Sequence, residues 1–294
     1  MKSVLGDKQA IFALLGPALL VYSLIILIPI FWSLGYTFFS GSIVSGFTFS
    51  GLSNFGKFFT DPSAGNAILF TIKYAVVLTV GQVVIGYLFA LLYHFYLKRS
   101  SAIIRTLVFF PVVLPTVAVA LLFQQFFQST PTTGPVNGLL NSLGLASVDW
   151  FGHADSAFWV IVLMDIWRSM GFYAVLLYAG IVDIPDDIVE SARIDGAAGW
   201  KLIRNIVIPL SLPVLLSSVI FSINGTLKVF DSVLALTNGG PGNGTTPLTL
   251  YMYQTAFTYG DYGYGSTIAF MLTILCLLVT IFIFRAQRRD LTKG

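Results

Sequence analysis

Six apolar stretches, each long enough to cross a lipid bilayer as a helix, leave this chain few folds to choose from. They run roughly over Ile11–Phe39, Phe70–Leu97, Ile104–Phe127, Phe158–Val182, Ile206–Val229 and Ser266–Phe284. A bilayer core takes about 20 mostly apolar helical residues, and every backbone polar group inside it must be satisfied within the protein. Charge is correspondingly scarce, at 10% of residues, against about a quarter in a soluble domain. The expected fold class is an all-α membrane protein of six transmembrane helices, with 1–294 as a single domain. The first stretch is too long for a signal-peptide core and lacks a small-residue cleavage site, so it reads as a retained span. The fifth is the weakest, opened by Pro209 and Pro213 and interrupted by Asn224 and Lys228.

The basic residues orient these spans. Of the 16 Lys and Arg, one side collects Lys2, Lys8, Lys98, Arg99, Arg105, Arg193, Lys201, Arg204, Arg285, Arg288, Arg289 and Lys293. The other side holds Lys57 and, at the border, Lys228; Lys73 and Arg168 fall within spans. An excess of Lys and Arg marks cytoplasmic loops, so both termini are expected in the cytoplasm of a multi-pass protein. The opposite loops are rich in Gly, Ser, Asn and aromatics, which reads as ordered turns rather than linker. "TNGGPGNGTTPL" is not a phosphate-binding loop, because no Gly-Lys-Ser/Thr follows its glycines.

One cytoplasmic stretch breaks the avoidance of charge: "DIPDDIVESARIDGAAGWKLIRNIVIPLSLP", from Asp183 to Pro213. Pro185 suits the start of a helix, and Asp186 and Asp187 suit its first turn. Glu190 and Arg193 can pair at i,i+3, and Gly196 can close the helix in a left-handed turn. The expected helix of about ten residues rises roughly 15 Å, too short to span. A second helix is expected from near Ala198 towards the fifth span. The short helix could lie on lipid headgroups, yet interfacial helices favour Lys and Arg on their polar face, and this one is acidic. Docking into a groove of another protein is the better reading.

"ESARIDGAAGWKLIRNIVIPL" resembles the EAA motif of permease subunits of ABC importers, with Glu190, Ala192, Gly196, Ile206 and Pro209 in place. Ser191 stands where the first alanine is usual, and Ile208 where leucine is. The fuller pattern looks like the sugar-importer branch of maltose and glycerol-phosphate permeases. "FFPVVLPTVAVALLF" (Phe109–Phe123), "GPVNGLLNSLGL" (Gly134–Leu145), "FDSVLALTNGGP" (Phe230–Pro241) and "LYMYQTAF" (Leu250–Phe257) follow it in order. The resemblance implies a type I importer permease fold. It makes 183–204 a coupling segment, in which Glu190, Ser191, Ala192, Asp195, Gly196 and Ala197 engage a cytoplasmic ATPase. It also implies two ATP-binding subunits, a second homologous permease, an extracytoplasmic solute-binding protein, and the cytoplasmic membrane of a bacterium or archaeon. No cofactor is expected in this chain; ATP and Mg would be held by the ATPase subunits.

Ionisable residues inside a membrane usually face a cavity or a partner. Asp165 and Arg168 share a face of the fourth span with Phe172. Asn224, Lys228 and Asp231 fall at i, i+4 and i+7 of the fifth. These six are the candidate substrate pathway, with pairing that merely braces the helices as the alternative. Tyr173, Phe221 and Phe230 could stack on sugar faces or simply pack. Lys73 is expected to snorkel, and Gln82, Gln124 and Gln125 to hydrogen-bond between helices. No Walker A sequence is present, so the chain is not expected to be an enzyme or to hydrolyse ATP by itself. His94 and His153 fall on opposite sides, and the single Cys276 excludes a cysteine-based metal site. The leading function is therefore half of an ATP-driven importer's pathway for a sugar or sugar-like solute. The alternative is a self-sufficient secondary transporter or channel, although no internal repeat supports it.

Overall fold

A computed structural model describes residues 8–42, 44–97, 101–129 and 133–291. Lys2, Lys98, Arg99 and Lys293 of the charge pattern lie outside the described residues. The elements, in chain order, begin with α1 (Ile11–Tyr36), the strands β1 (Phe39–Ser42) and β2 (Gly46–Phe49), and α2 (Ser53–Thr60). There follow α3 (Pro62–Tyr96), α4 (Ser101–Val113), α5 (Thr116–Phe126), α6 (Pro135–Ser142) and α7 (Ala154–Val182). The chain continues with α8 (Asp186–Ile194), α9 (Trp200–Thr226), α10 (Asp231–Leu236), α11 (Leu248–Tyr253) and α12 (Tyr262–Leu291).

Helices α1, α3, α7, α9 and α12 are long and apolar enough to cross a membrane unbroken. The third expected span, Ile104–Phe127, is not one continuous helix. It is split into α4 and α5, which bend by 96° at the break. Pro115 is the cause: the residue before a proline is pushed out of the helical region, and Leu114 takes φ −74 and ψ 140. The first span stops at Tyr36, short of Phe39, because Phe39 already pairs with Phe49 in an antiparallel hairpin. The fifth span begins six residues early, so that the second cytoplasmic helix and the span are one helix from Trp200 to Thr226.

Two compact units are distinguished. The first takes the chain up to Ala64 with Tyr251–Thr273. Within it the buried Asn54 donates to the carbonyls of Thr37 (2.9 Å) and Phe39 (2.8 Å), fixing the hairpin to α2. Asp61 accepts hydrogen bonds from the hydroxyls of Tyr251 and Tyr264 and from the Ser63 amide at 2.9 Å. Burial alone would raise the Asp61 carboxyl, but these bonds outweigh it and hold the group below its ordinary value. The same burial and hydrogen bond push Tyr251 up to about 12. Lys57 pairs with Asp261 at 2.9 Å and lies 4.0 Å over the Tyr264 ring.

The second unit takes Gly65–Leu250 and the chain from Ile274 onward. One core cluster gathers Tyr74, Phe158, Ile161, Met164, Val233 and Leu236. The other gathers Leu91, Leu177, Ile181, Val189, Ala192 and Val207. Lipid-spanning helices gain little from apolar burial against one another, so close approach of small residues does much of the packing. At Gly171 an added Cβ would lie 2.2 Å from the Val108 carbonyl oxygen, so α4 passes α7 where only glycine fits. Polar side chains do the rest: Leu248 N–H donates to Thr71 Oγ1 (2.9 Å), and Gln124 Nε2 donates to the Leu236 carbonyl (2.7 Å).

Candidate substrate cavity and coupling segment

A cavity of about 410 Å³ opens within the second unit, walled by α3, α7 and α9, with the starts of α5 and α10 also in its lining. Five of the six residues expected from sequence line it: Asp165, Arg168, Phe172, Lys228 and Asp231. Asp165 is 3% exposed. Its carboxylate accepts from the Tyr74 hydroxyl and, at 3.4 Å, from Arg168 Nε. This acid therefore braces α3 against α7 through Tyr74, while its pairing with Arg168 stays within α7.

Asn224 is the exception. Helix α9 ends at Thr226, and the chain turns through Leu227–Phe230 before α10 starts at Asp231. The helical spacing that put Asn224 on one face with Lys228 and Asp231 therefore does not continue. Asn224 Nδ2 donates to the Ile220 carbonyl at 3.0 Å, and its Oδ1 accepts from Thr280 on α12 at 3.1 Å. It ties α9 to α12 and does not line the cavity.

Sequence reasoning missed part of the wall. Tyr74, Ser169, Ser222 and Thr226 all line it. Ser169 Oγ lies 2.7 Å from Gln82 Oε1, Gln82 Nε2 donates to Ser222 Oγ, and Ser222 Oγ donates to Thr79 Oγ1 at 2.8 Å. This seam of neutral polar groups runs across α7, α3 and α9. The signal was available, since each is a polar residue within an apolar run, but a neutral hydroxyl or amide there is a weaker mark than the charges of Asp165, Arg168, Lys228 and Asp231. Phe172 and Phe221 stack with centroids 5.5 Å apart, and Tyr173 and Phe230 complete the aromatic part of the lining. Lys73 stands outside the cavity, 3.7 Å from Asp155 and 4.2 Å over the Phe158 ring.

The segment expected to couple, 183–204, forms the short capped helix read from its sequence. Pro185 is extended, φ −58 and ψ 134, and α8 carries Asp186 and Asp187 in its first turn. Gly196, at φ +83, closes the helix: its N–H reaches the Arg193 carbonyl (3.0 Å), and the Ala197 N–H reaches Ala192 (2.9 Å). This double bond pattern is the Schellman cap. Val189, Ala192 and Ala197 turn inward onto α3, α7 and α9. Glu190, Ser191, Asp195 and Gly196 face out, with Ile194 87% exposed. Glu190 and Arg193 do not form the anticipated pair among the ion pairs of the described residues.

A helical membrane protein with a cavity among three spans, and a capped helix slung between two of them, has the build of an importer permease. The sequence matches the family "Binding-protein-dependent transport system inner membrane component" over residues 82–291, and the chain belongs to it. It is 34% identical to the probable ABC transporter permease protein YurN of Bacillus subtilis (strain 168), over 94% of each chain. It is 33% identical to the sulfoquinovosyl glycerol transport system permease protein SmoG of Agrobacterium fabrum, over 97% of this chain and 92% of that one. It is also 33% identical to the trehalose/maltose transport system permease protein MalF of Thermococcus litoralis, over 82% and 80%. The fold superposes on a chain of a bacterial ABC transporter that imports the acidic polysaccharide alginate, with TM-score 0.84, 22% identity and 96% of each chain covered. The protein is thus a multi-pass membrane subunit of an importer with the type I permease fold, which decides against the self-sufficient secondary transporter.

Proposed function

We propose that this chain forms half of the translocation pathway for a sugar or sugar-like solute and is driven through its α8 segment by ATPase subunits. One observation carries the reading: α8 and its cap join α7 to α9, two of the three helices that wall the polar and aromatic cavity. A push on α8 therefore reaches the cavity through covalent continuity. Hydroxyl, carboxamide and guanidinium groups beside a stacked Phe172–Phe221 pair suit a polyhydroxylated ring, which presents donors, acceptors and an apolar face. The names of the relatives support the same class of cargo.

On this reading Glu190, Ser191, Asp195 and Gly196 meet the ATPase, while Ala192 and Ala197 anchor the helix from behind. Arg168, Phe172, Lys228 and Asp231 face the cargo, and Asp165 positions Arg168. Two cytoplasmic ATP-binding subunits hold ATP and Mg, a second homologous permease supplies the other half of the pathway, and an extracytoplasmic binding protein delivers the cargo. The assembly lies in the cytoplasmic membrane of a bacterium or archaeon with both termini inside. Catalysis of ATP hydrolysis belongs to the partners. Affinity purification from native membranes, followed by mass spectrometry, tests this. Recovery of a P-loop ATPase and a second six-span permease is expected. Recovery of the chain alone, active in liposomes without ATP, would overturn it.

A further inference from the structure

A second cavity, of about 510 Å³, lies elsewhere in the same unit, and no role proposed so far uses it. Its lining includes Gln124, Gln125 and Gln128 around the end of α5, Thr237 after α10, and Asp149 and Phe151 of the loop before α7. Thr116 and Asp231, at the beginnings of α5 and α10, line the first cavity, whereas residues at the ends of the same helices line the second. The two helices therefore run alongside each other from one cavity to the other. Between Thr116 and Gln124 the rise is about 12 Å.

The walls of this second cavity are built, not incidental. Asn137 is 0% exposed and uses both ends of its amide. Its Nδ2 donates to the Val148 carbonyl at 2.9 Å, and its Oδ1 accepts from Val148 N–H (3.0 Å) and Trp150 Nε1–H (3.1 Å). Trp150 in turn packs edge-on against Phe127, centroids 5.2 Å apart, which fixes the loop carrying Asp149 and Phe151. On the opposite wall Gln124 holds the last carbonyls of α10, and Thr237 Oγ1 lies 2.9 Å from Thr245 Oγ1. Asp149 Oδ1 accepts from Ser129 and from the Gly152 amide, both at 3.1 Å, and Oδ2 accepts no hydrogen bond among the described residues. The exposed Gln125 amide is uncommitted among the described residues.

This lining offers amide donors, amide and carboxylate acceptors, and an apolar surface at Phe151 and Pro241. Among the described residues no Lys or Arg lines it, and the one charge there, Asp149, would repel an anion. A neutral polyhydroxylated ring meets these demands, since each hydroxyl both donates and accepts. We propose that this cavity is a second carbohydrate subsite, which holds a neutral sugar at the far ends of α5 and α10 from the inner cavity. The proposal rests on the sugar-import reading and adds an outer station to it.

The test is site-directed cysteine protection on the assembled importer in lipid nanodiscs, read by peptide mass spectrometry. The probe is a mixture of maltose, trehalose, lactose and maltotriose. Gln125→Cys and, as an independent position, Ser129→Cys report on the outer cavity; Thr116→Cys reports on the inner one. Leu143→Cys, exposed and outside both linings, is the reference. At ten times the sugar's Kd, labelling at an occupied site slows about ten-fold. Slowing at Gln125→Cys or Ser129→Cys together with Thr116→Cys, and not at Leu143→Cys, is the expected result. Protection of Thr116→Cys alone would overturn the outer subsite and leave sugar import standing. Slowing at all positions alike would also overturn it, as a global change. Protection nowhere would remove the sugar reading itself.

Discussion

Gly196 offers a quantitative test of the coupling segment. The residue sits at φ +83, and nothing lies within 4 Å of where a Cβ would be. Gly196→Ala therefore adds no clash within this chain, and its whole effect is the left-handed backbone, about 1–2 kcal/mol for an L-residue. Asparagine tolerates that region better, and a β-branched residue worst. If capped and frayed last turns are about equally populated, a loss of this size lowers their ratio about 5–30-fold and the capped population about 3–15-fold. When only the capped form binds, apparent affinity falls by the fraction lost. Titration of the nanodisc-embedded permease with its isolated ATPase subunits should show affinity falling in the order Gly, Asn, Ala, Val. Affinity for Gly196→Ala within two-fold of the unaltered chain would refute the backbone argument. Equal damage from Gly196→Asn and Gly196→Val would also refute it, since side-chain bulk against the partner would then govern.

Glu190→Ala, or reversal to Lys, should leave the subunit in the membrane and reduce ATPase docking or transport, measured by co-purification and by uptake into vesicles; unchanged uptake would remove the coupling role. Asn137→Ala orphans the Val148 and Trp150 N–H groups at about 1–3 kcal/mol each, so limited proteolysis should cut between Leu143 and Val148 faster than in the parent protein. The Asp61–Tyr251 contact gives stability a pH window. Asp61 titrates below its ordinary value, so its contribution is present above the usual carboxylate range and is lost as pH falls through the lowered value. Tyr251 is raised from 10.0 to about 12, so its contribution is full below pH 10 and is lost as pH rises through about 12. Thermal melts in detergent should weaken at both limits, and Asp61→Asn should flatten the acid limb.

What the sequence disclosed follows the physics of each signal. Apolar length alone located α1, α3, α7, α9 and α12, because a membrane demands it. Hydropathy carries no angle, however, and Val112–Thr116 remains apolar enough to hide a 96° bend at Leu114–Pro115. The α8 segment was legible in detail because its signals are local: Pro185 before it, acids at its start and Gly196 after it. The cavity was only half legible. Asp165, Arg168 and Phe172 lie within the unbroken α7, where spacing predicts facing. Asn224, Lys228 and Asp231 straddle the end of α9, where it does not. Gln82 joins Ser169 and Ser222 through contacts far apart in sequence, which no single-segment pattern encodes.

The continuity of α9 has a mechanical consequence. Its 27 residues make a beam of roughly 40 Å, but not one of uniform stiffness. The π-turn at Ile203–Val207, Pro209 and Pro213 interrupt the regular bonding of its first half, whereas the half from Val214 to Thr226 has no proline to weaken it. Force applied at Trp200 therefore bends the beam near the end where it enters, and the remainder swings as one piece. Phe221, Ser222, Gly225 and Thr226 ride on that piece. The cavity wall they form would turn like a door on its frame, with aromatic and polar contacts released in a single stroke rather than one after another.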